Sequence, residues 1–136
     1  MNEVSNMHTW LQGRLGAAGF GQVNLEVCDG VPGNWTLYYL GTREIKRSPA
    51  LHGAALVRYR CHYQLKFLCN GSGIIRSRIV QALLESAQET GQGPVFSPLS
   101  GGLLTVENVR RTKVNPDGTG EYCMDIYAEY DRYWEV

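Results

Sequence analysis

The side chains best placed for chemistry recur at every second position of one stretch. Arg58, Arg60, His62 and Lys66 alternate there with Tyr59, Cys61, Tyr63, Leu65 and Phe67. On a strand, a spacing of two puts the first set on one face and the second on the other. A row of cations with no nucleophile among them fits a solvated or partner-facing sheet surface. A nucleic-acid platform needs aromatic rings on the same face as the bases. Tyr59 and Tyr63 have the opposite parity, so that use is not expected.

Other reactive residues do not assemble into a site. Asp125 and Glu129 suggest a carboxylate pair, but on a strand they lie about 13 Å apart, too far for a glycosidase. His8, His52 and His62 fall on three separate segments. No Gly-x-Ser-x-Gly elbow or His-x-x-x-His pair accompanies them. Cys28, Cys61, Cys69 and Cys123 contain no Cys-x-x-Cys pair, which leaves free thiols packed as small hydrophobes. Gly16-Ala-Ala-Gly19-Phe-Gly21 has the look of a phosphate loop. It follows a helix and lacks the closing Lys-Ser/Thr, so it reads as a helix stop. Catalysis, a cofactor and a metal are not expected.

The elements that must position these residues follow from periodicity. Val4, Met7, Leu11, Leu15 and Ala18 predict a helix over 3–18, weakened by Gly13 and Gly16. Val23, Leu25 and Val27 form a short strand. Asp29 to Asn34 is turn chemistry, and residues 35–46 form a second strand. A loop around Pro49 leads to the long strand, an antiparallel neighbour of the one before it. Asn70-Gly71-Ser72-Gly73 breaks that strand and offers a helix cap. Residues 74–89 predict a second helix, with Ile75, Ile79, Ala82, Leu83 and Ser86 as the buried stripe. Residues 92–102 hold two prolines and three glycines and predict an exposed loop. A fourth strand spans 103–114, and Asn115 to Gly120 is a hairpin turn. The last strand, 121–133, puts Tyr122, Met124, Ile126, Ala128 and Tyr130 on one face. Cys123, Asp125, Tyr127, Glu129 and Asp131 lie on the other.

The order is α-β-β-β-α-β-β. Runs of strands with two one-sided helices indicate an α+β fold. The expected architecture is a mostly antiparallel sheet of about five strands with both helices on one face. The other face then carries the cations of one strand and the acids of another, which pair if those strands are neighbours.

Bulk composition agrees with one domain over 1–136. Hydrophobic residues make up 43% and charged residues 19%, enough for a core. The formal net charge of zero disfavours a dedicated nucleic-acid binder. The sequence has no apolar run of membrane-spanning length and no basic-then-apolar start of the signal-peptide kind. A soluble, intracellular chain is the expectation.

Leu37-Tyr-Tyr-Leu-Gly-Thr-Arg-Glu-Ile-Lys-Arg47, followed by the long alternating strand, resembles the tail-terminator or minor capsid family of long-tailed bacteriophages and prophages. Those proteins show a similar Gly-Thr-x-Glu-x-Lys-Arg stretch, then a strand, a helix and a Tyr-rich closing strand. Here the closing stretch is Cys123-Met-Asp-Ile-Tyr-Ala-Glu-Tyr-Asp-Arg-Tyr133. The resemblance covers most of the chain. It implies a non-catalytic tail-completion protein that caps the tail tube, often as a hexameric ring, and meets the head connector. It implies self-association and tail-tube and connector partners, in the bacterial cytoplasm during assembly and then in the virion tail. Membranes and specific nucleic-acid sequences are not among the implied partners.

A ring needs heterologous contacts, in which one patch meets a different one on the next subunit. Arg58, Arg60, His62 and Lys66, with Asp125 and Glu129, are the candidates. Phe96, between Pro94 and Pro98, is a candidate apolar anchor, and the loops near Val31 and Phe96 are expected to order on docking. The competing expectation is a small-ligand binder or enzyme on a cone-shaped α+β fold. Its pocket would be lined by Trp35, Tyr39, Tyr59, Tyr63 and His62.

Overall fold

A computed structural model describes residues 3–71, 73–97, 100–101 and 103–134. Ser72 of the expected helix cap and Pro98 lie outside them. The chain is α+β. Its elements are α1 (Glu3–Ala17), β1 (Val23–Leu25), β2 (Trp35–Pro49), a 3-10 turn (Leu51–Gly53), β3 (Ala55–Asn70) and α2 (Gly73–Glu89). Then come β4 (Val95–Ser97), β5 (Ser100–Gly101), β6 (Leu103–Val114) and β7 (Thr119–Trp134).

The main sheet has the order β1-β2-β3-β7-β6. Every neighbouring pair is antiparallel except β1 with β2, which run parallel over three residues. β3 and β7 pair from Ala55↔Trp134 to Asn70↔Thr119 without a register shift. They set the frame, because their alternation agrees residue by residue. Val57, Cys61, Tyr63 and Leu65 are buried on β3, the last three opposite Ala128, Ile126 and Met124 on β7.

Both helices cover this apolar face and share one core with it. Met7, Leu11 and Leu15 of α1 are fully buried, each contributing about 1.5–3 kcal/mol. The hydroxyl of Tyr63 donates to the Glu3 carbonyl at 2.9 Å, and that of Tyr130 to the Glu3 carboxylate at 2.7 Å. The helix ends at the glycine-rich stretch, where the Phe20 N–H bonds the Leu15 carbonyl at 2.9 Å.

The burial of α2 differs from the expectation. Gly73, Ser77, Val80, Leu84 and Ala87 face the core. Ile75, Ile79, Ala82 and Ser86 are exposed, and Leu83 is half-buried. The cause is volume on the sheet side. Tyr122 fills the space under the start of α2, so a Cβ at Gly73 would stand 2.1 Å from its ring. Only the small-residue side of the helix fits there. Two measurements of unfolding check this orientation. Gly73→Ala is expected to cost about 1–3 kcal/mol through overpacking. Ile75→Ser with Ile79→Ser is expected to change stability by no more than about 0.5 kcal/mol each.

The stretch after α2 also differs. It carries the small β4–β5 pair, and Phe96 is fully buried, stacked on Tyr130 at 5.3 Å between centroids. Trp10 Nε1 donates to the Gln92 carbonyl at 2.8 Å, which ties α1 to this segment. Phe96 is thus part of the core in this chain and not an exposed anchor. The turn near Val31 is likewise ordered within the chain. The Asp29 carboxylate accepts from the Val31 N–H at 3.0 Å, Asn24 at 2.8 Å and Asn34 at 2.9 Å. These bonds hold its carboxyl below the usual range, the Val31 N–H most of all. No helix is long and apolar enough to cross a membrane among the described residues.

Candidate functional site: the uncovered sheet face

With both helices on one side, the other side of the sheet carries side chains of opposite parity and no helix, and the turn near Cys28 and Val31 lies against its Thr36–Lys66 end, where Thr36 and Cys123 are buried. Six of the seven candidate residues meet there: Arg58, Arg60, His62 and Lys66 on β3, and Asp125 and Glu129 on β7. The seventh, Phe96, is on the core side.

β3 and β7 are neighbours, so charges do pair across them. Arg58 Nε lies 3.4 Å from Asp131, His62 Nε2 lies 3.1 Å from Asp125, and Lys66 Nζ lies 4.0 Å from Glu121. The Arg58 and Lys66 pairs are each a third or so exposed, and such pairs contribute about 0–1 kcal/mol. Arg60 and Glu129 are opposite in register, but no ion pair joins them among the described residues.

Asp125 is the exception on this face, because it is nearly buried at 6% exposure. Its Oδ1 meets His62 at 3.1 Å. Its Oδ2 accepts from Asn108 Nδ2 at 3.0 Å and Arg110 Nη1 at 3.2 Å. Burial alone would raise this carboxyl. The hydrogen bonds from His62 and Asn108 and the charge of Arg110 outweigh it and hold the group below the usual range.

β6 reaches Asp125 by an irregularity. Its register with β7 shifts between Glu107 and Arg110, and Asn108 adopts a left-handed backbone with φ 57°. The bulge re-aims the strand, so that Asn108 and Arg110 both serve one carboxylate. Neither residue was expected from sequence. The signal was a change of parity: Leu104 and Val106 point to the core, and then Val109 does.

β2 carries two comparable shifts, between Tyr39 and Gly41 and between Glu44 and Lys46. The Gly41-Thr-Arg-Glu-Ile-Lys-Arg47 stretch therefore coincides with the bulged part of the strand. β1 pairs only with Trp35 to Leu37, so it does not cover this part of the edge. Within the stretch, Arg47 donates to Glu44 at 2.6 and 2.9 Å.

The five residues expected to line a ligand pocket do not converge. Trp35 and Tyr63 are fully buried, with Trp35 against Phe67 at 4.0 Å and Tyr63 against Tyr39 at 5.5 Å. Tyr59 stacks on Tyr130 in the same layer, while His62 stands on the opposite face. Cys61 and Cys123 are buried, and burial pushes both thiols up, consistent with packing rather than reactivity.

Comparison of the chain with known protein families finds none that matches, and comparison with curated proteins finds none either.

Proposed function

We propose that this chain is a tail-completion protein, of the tail-terminator or minor capsid kind, of a long-tailed bacteriophage or prophage. It caps the tail tube, joins it to the head connector and acts by assembly without catalysis. Its partners are copies of itself in a ring, the tail-tube protein and the connector. It works in the bacterial cytoplasm during assembly and ends in the virion tail.

The observation that carries this reading is the uncovered sheet face, flanked by a β2 edge that β1 leaves unpaired. Helices cover one side only, and the long β3–β7 pair presents a charged surface on the other. Such a face, together with the bulged Gly41–Arg47 edge, offers two different patches of the kind a heterologous contact requires. The stretch resembling the tail-terminator family lies on that edge. Arg58, Arg60, His62, Lys66, Asp125 and Glu129 are the proposed contact residues.

Sequencing the DNA on both sides of the gene tests the assignment. The expected neighbours encode a β-rich tail-tube-like chain and a very long helical tape-measure-like chain. Neighbouring metabolic enzymes would count against it.

A further inference from the structure

A notch in the uncovered face lies between β2 and β7 and is lined by Gly41, Arg43, Arg60, His62 and Tyr127. Its volume is about 440 Å³. The β2 bulge creates it. Leu40 is the extra residue, and Gly41 follows opposite His62. With φ 132°, Gly41 occupies a backbone region that side chains rarely adopt, and a Cβ there would meet open space. The glycine leaves the floor bare.

That floor is layered. The His62 ring stacks on Tyr127 at 4.4 Å with 15° between planes, and the Arg60 guanidinium lies 4.2 Å from the same ring's centre. Asp125 fixes His62 from behind. Arg43 stands directly opposite Arg60 across β2 and β3. Like charges placed this way repel. Neither guanidinium has an ion pair or hydrogen bond among the described residues, although Glu129 is the register partner of Arg60 on its other side. Arg60 Nε, like Arg58 Nε and Arg76 Nε elsewhere, is also shielded from water and has no hydrogen-bond acceptor. A buried donor without an acceptor calls for an explanation, and an acceptor from a ligand is one.

We propose that this notch is a binding site for a small oxyanion, a phosphate or a carboxylate, held between Arg43 and Arg60 over the His62–Tyr127 floor. The guanidinium fork suits both anions, through paired charge-assisted hydrogen bonds. An anion there would relieve the Arg43–Arg60 repulsion and give Arg60 its missing acceptor. The inference stands on the notch and does not depend on the assembly reading.

Titration of the whole chain with inorganic phosphate and, separately, with succinate tests it, followed by amide chemical shifts. The expected result is saturable binding of at least one probe, with the largest shifts at Gly41, Arg43, His62 and Tyr127. Arg43→Ala and Arg60→Ala are each expected to weaken binding by about tenfold or more. Arg47→Ala should leave it unchanged, because the register shift between Glu44 and Lys46 sets Arg47 opposite Val57 and so on the other face. Phosphate without succinate would assign a phosphate-bearing ligand, and the reverse a carboxylate. Binding of both with the same shifts would support an oxyanion site that does not discriminate. Absence of saturation by either probe up to about 10 mM would overturn the proposal, since even weak specific sites bind in the millimolar range. So would binding that both arginine variants retain. The wild-type shift map keeps the test valid even if a variant folds poorly.

Discussion

Under the proposed assembly role, reversing Arg58 and Arg60 together to Glu is expected to weaken self-association of this chain. Both residues lie on the uncovered face, with side chains of one parity on a strand that pairs with β7 along its full length without a register shift. A contact that brings like charges together loses several kcal/mol. The ring population in native mass spectrometry should therefore fall about a hundredfold or more. The intramolecular cost is smaller but real. Arg58 sits 3.4 Å from Asp131 and Arg60 opposite Glu129, so the reversal also places acids beside acids within the subunit. The milder pair Arg58→Ala with Arg60→Ala separates the two effects. It should keep the fold, as read by circular dichroism, and still weaken assembly. Unchanged rings in both variants would remove these residues from the interface.

The largest effect on stability is expected from Asp125→Ala. It would leave His62, Asn108 and Arg110 without their common acceptor in a nearly buried position. Removing one partner from such a network costs about 3 kcal/mol. Denaturant unfolding should show this as a lower midpoint with an unchanged slope. A pH dependence accompanies it. The folded carboxyl is held below its unfolded value near 3.9. Its contribution is therefore complete above the unfolded value and is lost as pH falls through the folded one. Asp125→Asn should flatten the acid limb of a stability profile in that window. An acid limb identical to the wild type would mean that the carboxylate is not bound as described.

The sequence made the frame of the fold readable because β3 and β7 alternate cleanly and pair without interruption. Their two faces follow from parity alone, whereas the pairing of their charges also required β3 and β7 to be neighbours, which parity does not give. The site was less readable wherever backbone irregularity decides what a side chain reaches. Asn108 and Arg110 meet Asp125 only because β6 shifts register, and Arg43 meets the notch only because Leu40 is an extra residue in β2. Parity changes hint at such shifts but do not locate them. α2 misled for another reason. It has two stripes of similar period, and Ile75 and Ile79 mark the more apolar one. The deciding factor was the bulk of Tyr122 on a distant strand, which selects Gly73 and Ser77. Phe96 was hidden by its setting, since a segment rich in proline and glycine reads as exposed while its one aromatic ring fills the space beside Tyr130.

Deleting the gene from the genome that carries it and imaging the phage particles produced, by electron microscopy, tests the proposed tail-completion role. Heads without joined tails are expected, together with tubes of irregular or excessive length, and recovery when the intact gene is supplied in trans. Complete tailed particles of normal length in the absence of the gene would contradict it.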